Sequence, residues 1–185
     1  GTTSLEESLR HAARPCQNFY PPLLVSRKEF CRSLLMSAAL PASFPILFAD
    51  MLLDRLDNAV RAMHKSFEPL FVEAKKAYPA AVLKDIEGTI SSLLNGWSGQ
   101  QLEELLLCLL NLCSDAMKVA CGADETLLLN LDHKEDIITI AAIDDVALLR
   151  AHIELIEKSF GLLRRHVQPA IVIENLITQI GGLEP

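Results

Sequence analysis

Residues 101–120 read QLEELLLCLLNLCSDAMKVA, a leucine-rich segment that indicates the fold class of the chain. Between Leu105 and Cys113 it is apolar on nearly every side, and a helix of that kind is normally buried in the middle of a bundle. Ser98 followed by Gln101 has the form of a capping box, in which two side chains satisfy free backbone amides at a helix start. The sequence therefore predicts a helical bundle built around this segment.

The composition agrees with an all-α fold. Half of the 185 residues are apolar and only 5% are aromatic, so the core is expected to be aliphatic. Leucine is a strong helix former, whereas Gly and Pro, which interrupt helices, number only 8 and 9. Ile137–Ile140 has the β-branched character of a strand, but so short a segment without a partner strand does not make a sheet. We predict one all-α bundle of about six to eight helices.

Upstream of the leucine-rich helix, prolines and glycines set the expected boundaries. We expect helices at 3–14, 26–40, 46–65 and 80–94, a restart or kink at Pro69, a boundary at Tyr78–Pro79, and the clearest loop of the protein at Asn95–Gly99. Residues 1–60 contain five prolines and are predicted to form an N-terminal helical segment. Residues 61–185 are predicted to form the main helical domain.

Downstream, residues with strong capping preferences mark the helix ends. Glycine commonly ends a helix, aspartate commonly begins one, and proline is favoured at the first helical position. The expected features are, in order, a helix end at Gly122, a turn at 130–132, a short helix at 134–141, a cap at Asp144 or Asp145, and a break at Gln168–Pro169 with Pro169 opening the final helix.

The charge distribution excludes some classes of function. The net charge is −7, and residues 122–185 contain eleven acidic residues against five Lys and Arg. Phosphate binding needs clustered Lys and Arg, so direct nucleic-acid binding by this fragment is not expected. The longest apolar run, Leu105–Leu110, is too short to span a membrane. Five cysteines without paired spacing do not indicate a disulfide framework, and we expect a cytoplasmic protein.

No pattern in the sequence indicates a catalytic, cofactor-binding or metal-binding site. The acidic pair Asp144–Asp145 is explained by helix capping and the helix dipole. Cys108 and Cys113 are separated by about 500° of helical rotation, which places them poorly for one metal ion and favours two core cysteines. Cys121 and His133 complete the set that could suggest a metal site. The other four histidines stand at no spacing to a carboxylate or cysteine that suggests a site, and phosphate loops and nucleophile elbows are missing. We expect no catalytic residue, cofactor or metal, and no enzyme activity.

Two features have both a structural and a functional interpretation. The basic cluster Arg164–Arg165–His166 either meets the unpaired carbonyls of a helix end or pairs with acidic residues on a neighbouring subunit. Trp97, the only tryptophan, lies in the expected glycine-flanked loop. It either plugs the end of the bundle or is an exposed anchor for a partner.

The C-terminal half resembles a known family in the order of its motifs. A leucine-rich helix with Asp115 and Lys118 is followed by the stretch Leu129–Glu135 (LNLDHKE), then by a basic helix end, a residue–Pro break and the final helix 171–177 (IVIENLI). This order is similar to the C-terminal collar of bacterial DNA polymerase III clamp-loader subunits. The resemblance is greater to delta-prime than to gamma/tau, mainly because of the segment 130–135.

The resemblance implies a non-catalytic collar domain that packs with gamma/tau and delta in the ring that loads the sliding clamp. It makes the following residues candidates for subunit contact or packing: Arg164, Arg165, Gln168, Pro169, Glu174 and Asn175. The chain departs from the family in lacking the nucleotide-binding fold and the arginine finger, and in having Gln168 where asparagine is usual. Residues 1–60 match nothing in the family; a lid-region remnant, an insertion and an extension all remain open. The alternative is a helical protein–protein interaction or regulatory module unrelated to replication.

Overall fold

A computed structural model of the chain describes residues 31, 32, 34, 35 and 44–182. Within them the regular structure is helical, with no strand, which confirms the all-α prediction. The α-helices are α1 (Phe44–Ala77), α2 (Ala80–Ala120), α3 (Lys134–Ile143), α4 (Val146–Arg164) and α5 (Pro169–Gly182), with short 3-10 turns at Glu125–Leu127 and Leu131–His133. Residues 31, 32, 34 and 35 are helical as well. The helix expected at 3–14 and most of the one expected at 26–40 lie outside the described residues, so the number of six to eight helices stays a prediction.

The chain forms two compact units. Among the described residues, the first unit comprises 54–100, and the second comprises 31, 32, 34, 35, 44–53 and 101–182. The predicted division of the chain at residue 60 stays a prediction.

The first unit is described over residues 54–100, which contain part of α1 and the start of α2. The two helices meet at Tyr78–Pro79, as expected from the restriction that proline imposes on its predecessor. The core consists of Met63, Phe67, Ile90 and Leu94, with the partly buried Val60, Leu70, Phe71, Ile86 and Trp97 packed against it. Helix α1 continues through Pro69 because the side chains on either side of the proline are held in this core.

The loop predicted at Asn95–Gly99 is wrong. Helix α2 runs without a break from Ala80 to Ala120, so Ser98 and Gln101 do not cap a helix start. A glycine inside a helix costs about 1 kcal/mol relative to alanine. Burial of Leu94 and partial burial of Trp97 in the same core offset that cost, and the helix persists.

The second unit places the leucine-rich part of α2 in its core, as predicted. Buried side chains in this unit include Leu102, Leu106, Leu109 and Leu112 of α2, Ile137 and Ile140 of α3, Leu149 and Ile156 of α4, and Ile173 and Leu176 of α5. Helices α4 and α5 pack against each other. Cys113 is buried as expected, whereas Cys108 is half-buried and Leu107 is exposed. The apolar side chains of this segment are therefore not all buried in the core.

Helices α2 and α4 end in the same way. Gly122 has a φ of 75°, and the amides of Gly122 and Ala123 donate to the carbonyls of Val119 and Lys118, which closes α2 with a Schellman motif. At the end of α4, His166 takes the left-handed position with a φ of 59°. Its neighbour Val167 donates to the Leu162 carbonyl. The predicted helix end at Gly122 is confirmed. His166 takes the same left-handed position at the end of α4, although it is not a glycine.

Candidate protein-interaction surface

A buried carboxylate organises the segment after α2. Asp115, in the last turns of α2, is fully buried and accepts hydrogen bonds from the backbone amides of Leu129 and Asn130, at 3.0 and 2.9 Å from Oδ2. The side-chain amide of Asn130 donates to the same oxygen at 2.9 Å, and Lys118 Nζ donates to Oδ1 at 2.8 Å. Asp115 therefore holds a segment that lies fourteen and fifteen residues further along the chain.

The charge of Asp115 is compensated where it is buried. Burial pushes the pKa of Asp115 up, but the hydrogen bonds from Lys118, Asn130 and Leu129 outweigh burial and hold the pKa below its usual value. Lys118 Nζ also donates to the Leu127 carbonyl at 3.0 Å. The carboxylate and its lysine together fix the backbone between Leu127 and Asn130.

This anchoring presents leucines to solvent. We call residues 127–131 the leucine loop. Leu127, Leu129 and Leu131 are 61%, 69% and 60% exposed, whereas the alternate residues Leu128 and Asn130 are buried. Large apolar side chains that are exposed together, on backbone held by buried hydrogen bonds, are typical of a protein-interaction site.

Acidic residues flank the leucine loop on both sides in the sequence. Residues 124–136 contain five carboxylates (Asp124, Glu125, Asp132, Glu135 and Asp136) and one lysine, Lys134. Lys134 pairs with Glu125, and Asp136 pairs with Arg32 at 2.9 Å and with His133 Nδ1 at 3.1 Å. The Thr126 amide donates to Asp124, and this hydrogen bond lowers the pKa of Asp124. Two of the five carboxylates are thus paired with Lys or Arg, and we call the five together the acidic border of the leucine loop.

The residues predicted as interface candidates lie at the end of α4 and along α5. All six are exposed: Arg164, Arg165, Gln168, Pro169, Glu174 and Asn175. The two arginines have no ion-pair partner in the part of the chain that the structure describes. Helix α5 begins at Pro169, as predicted, with the Val172 amide donating to the Gln168 carbonyl. The Asn175 side chain is held by Gln179 at 2.8 Å.

Trp97 belongs to the first unit and not to this group. It lies on α2, partly buried against the core that contains Phe67 and Leu94. Its indole nitrogen is buried without a hydrogen-bond partner among the described residues. The predicted setting of Trp97 in a loop is wrong, because the helix continues through it.

Two buried groups, Asp144 and His152, are not predicted by the sequence. Asp145 caps α4 by accepting from the Leu148 amide at 2.7 Å, so one of the two predicted caps is confirmed. Its neighbour Asp144 is instead buried, with Oδ2 lying 3.7 Å from Nδ1 of buried His152. Burial and the charge of Asp144 together raise the pKa of the Cys113 thiol to about 12. His152 lies eight residues from Asp144, a separation that the sequence pattern does not single out.

The described residues hold no group of His, Cys, Asp and Glu side chains arranged to bind a metal ion. None of the helices in the described ranges combines the length and the apolar character needed to cross a membrane. No family model, curated protein or solved structure matches this chain.

Proposed function

We propose that this chain is a protein-assembly module, and that the leucine loop is the surface through which its second unit joins a partner. The observation that carries the proposal is the exposure of Leu127, Leu129 and Leu131 on backbone held by Asp115. A loop held in one conformation loses little conformational entropy when a partner binds, so more of the contact energy remains as affinity.

The exposed leucines of the leucine loop are numerous enough to contribute to the free energy of binding. Complete burial of a fully exposed leucine side chain contributes about 1.5–3 kcal/mol. Because these three leucines are already about one third buried, covering the rest supplies on the order of 3–6 kcal/mol before the cost of association. The acidic border adds selectivity, because it repels other acidic surfaces and attracts basic ones.

We propose the collar of a DNA polymerase III clamp loader, of the delta-prime type, as the specific form of this function. The support is the resemblance of the C-terminal half to that family. The stretch that carries much of it, Leu129–Glu135, contains part of the leucine loop, and Asp115 and Lys118 hold the loop in place. In this form gamma/tau and delta are the partners, and the exposed Arg164 and Arg165 pair with acidic residues of a neighbouring subunit. The chain itself performs no chemistry.

The test is co-elution of the full chain with purified gamma/tau and delta on gel filtration. The triple variant Leu127→Ser, Leu129→Ser, Leu131→Ser should lose co-elution while keeping its helical circular dichroism. Val72→Ser, which changes an exposed apolar side chain of the first unit, is the matched control and should co-elute. Arg164→Glu with Arg165→Glu should weaken assembly without loss of helicity.

Failure of the folded, unmodified chain to join gamma/tau and delta would contradict the clamp-loader form. The alternative is a helical interaction module unrelated to replication, and the exposed leucine loop favours it equally. That alternative predicts that the triple serine variant loses binding to a different partner with a basic, apolar surface. Retention of all binding by the triple variant would contradict both forms.

A further inference from the structure

Four consecutive backbone amides of the leucine loop already donate hydrogen bonds inside the chain. The amides of Leu127 and Leu128 donate to carbonyls at the start of the 3-10 turn, at 3.0 and 3.1 Å. The next two amides, of Leu129 and Asn130, donate to the buried carboxylate of Asp115. Each of these residues has one amide hydrogen to give, so the donors of this backbone are occupied before any partner arrives.

This hydrogen bonding decides which kind of partner segment the loop can accept. An extended peptide that joins a sheet edge binds through alternate amides and carbonyls of that edge. At the leucine loop such a strand would have to take the amides of Leu129 or Asn130 away from Asp115 and leave a buried carboxylate short of a donor. The loop therefore offers a partner its leucine side chains and not a β-sheet edge.

The exposed leucines match two turns of an α-helix in length. Leu127 and Leu131 are four residues apart, so at most about 14 Å of chain separates them. Two helical turns cover about 11 Å and carry apolar side chains at positions i, i+3, i+4 and i+7 on one face. A helix satisfies its own backbone hydrogen bonds, so it can cover a surface whose amides are occupied. A two-turn apolar stripe on a helix therefore fits the three leucines.

The acidic border sets the charge of that helix. Residues 124–136 contain five carboxylates and one lysine, so this segment carries a net negative charge. Asp124 and Glu135 lie on opposite sides of the leucines in the sequence, and both are exposed. Exposed charges at the edge of an interface attract opposite charges and repel like charges. A helix that covers the leucines therefore meets carboxylates beside its apolar stripe and needs cations there.

We propose that the leucine loop binds an amphipathic helix of the partner that carries Lys or Arg on both sides of its apolar stripe. This inference rests on the proposed function of the leucine loop and names the chemistry of its partner. Binding takes place through side chains: the leucines cover the apolar stripe and the acidic border meets the cations. Asp115 keeps its hydrogen bonds to Leu129 and Asn130 in the complex. A partner strand and an acidic helix are both excluded.

The experiment measures the binding of three labelled, designed peptides to the full chain by fluorescence anisotropy. Each peptide has about 18 residues, because shorter isolated helices are marginally stable in water. The basic helix is alanine-rich, with leucine at positions i, i+3, i+4 and i+7 and lysine on both sides of the leucines. The acidic helix has glutamate in place of each lysine. The broken helix keeps the leucines and lysines but has prolines in place of two central alanines.

The basic helix should bind at least about 10-fold more tightly than either other peptide at about 50 mM NaCl. Its advantage over the acidic helix should shrink at about 0.5 M NaCl, because salt screens exposed charges. The triple serine variant of the leucine loop should lose binding of the basic helix while keeping its helical circular dichroism.

A pair of charge variants tests the acidic border without changing an apolar residue. Asp124→Asn with Glu135→Gln should weaken binding of the basic helix about 5-fold, since one exposed ion pair contributes about 1.5- to 5-fold in affinity. Glu87→Gln with Glu157→Gln is the matched control, because it removes two exposed carboxylates outside the border and should bind like the unmodified chain. If the triple serine variant does not fold, the two charge variants decide.

Equal binding of the acidic helix, or equal or tighter binding of the broken helix, would overturn the inference. Failure of the basic helix to bind the folded, unmodified chain would overturn it as well, and so would unchanged binding by the triple serine variant. These outcomes are distinguishable from failure of the proposed function, which co-elution measures. Loss of co-elution in the triple serine variant, together with no binding of the basic helix, would contradict the partner chemistry alone.

Discussion

Replacement of Asp115 by asparagine tests how the leucine loop is held. The carboxylate accepts from Lys118 Nζ at 2.8 Å, from the two amides of Asn130 at 2.9 Å, and from the Leu129 amide at 3.0 Å. Asparagine keeps the shape and one acceptor oxygen. Its other terminal atom is a donor, which then faces the donors that the second carboxylate oxygen had accepted from.

The expected loss follows from the number of hydrogen bonds affected. An asparagine whose oxygen takes the Oδ2 position loses the hydrogen bond from Lys118 Nζ and leaves the other donors with a neutral acceptor. A hydrogen bond to a charged group contributes about 1.5–3 kcal/mol, so the free energy of unfolding should fall by at least about that amount. This is large against the total of about 5–15 kcal/mol for a domain. The pKa of Asp115 is lowered in the folded state, so its contribution is present above its ordinary 3.8 and lost as pH falls below it. Asp115→Asn should lack that part of the acid sensitivity.

Urea denaturation gives the free energy of unfolding, and hydrogen exchange read by NMR gives the protection of the Leu129 and Asn130 amides. Both amides should exchange much faster in Asp115→Asn. Asp124→Asn is the control, because Asp124 is an exposed cap in the same segment and asparagine caps equally well. A loss below about 1 kcal/mol in Asp115→Asn, with unchanged protection of the two amides, would refute the argument that the carboxylate holds the loop.

Three further predictions concern single positions. His166→Gly should raise the free energy of unfolding by about 1 kcal/mol, because glycine adopts a φ of 59° without strain, and Gly122→Ala should lower it by a similar amount in the same thermal melt. Trp97→Phe should cost less than about 1 kcal/mol, since it keeps the packing and removes a buried indole N–H without a partner among the described residues, whereas Trp97→Ala should cost about 3 kcal/mol in urea denaturation. Iodoacetamide at pH 8 should label exposed Cys121 and spare Cys113 in the native protein, because the pKa of the Cys113 thiol is raised to about 12. Peptide mass spectrometry measures the labelling of both sites, and early labelling of Cys113 would contradict its burial.

Local chemistry made part of this structure predictable. The helix boundary at Tyr78–Pro79, the end of α2 at Gly122, the cap at Asp145 and the start of α5 at Pro169 each depend on one or two residues with a strong backbone preference. The leucine-rich segment of α2 was predictable as core because its apolar pattern exceeds what one face of a surface helix needs.

Contacts distant in sequence account for what was missed. Asn95–Gly99 has the composition of a loop, yet packing of Trp97 and Leu94 on residues of α1 keeps it helical. Asp115 has donors fourteen and fifteen residues away. Asp144 has the sequence context of a cap, yet its carboxylate is buried 3.7 Å from Nδ1 of His152, eight residues further along the chain. Rules for residue spacing within one helix cannot predict these contacts.

The alternation in the leucine loop has a consequence for saturation mutagenesis. Asp115 accepts hydrogen bonds from backbone amides, so the side chain at position 129 can change without disturbing the hydrogen bonds that fix the loop. Substitutions at Leu128 or Asn130 should lower protein abundance, whereas polar substitutions at Leu129 should leave abundance intact and register only in a selection for complex formation. Measuring abundance and complex formation on one library would separate the residues that maintain the conformation of this surface from those that contact a partner.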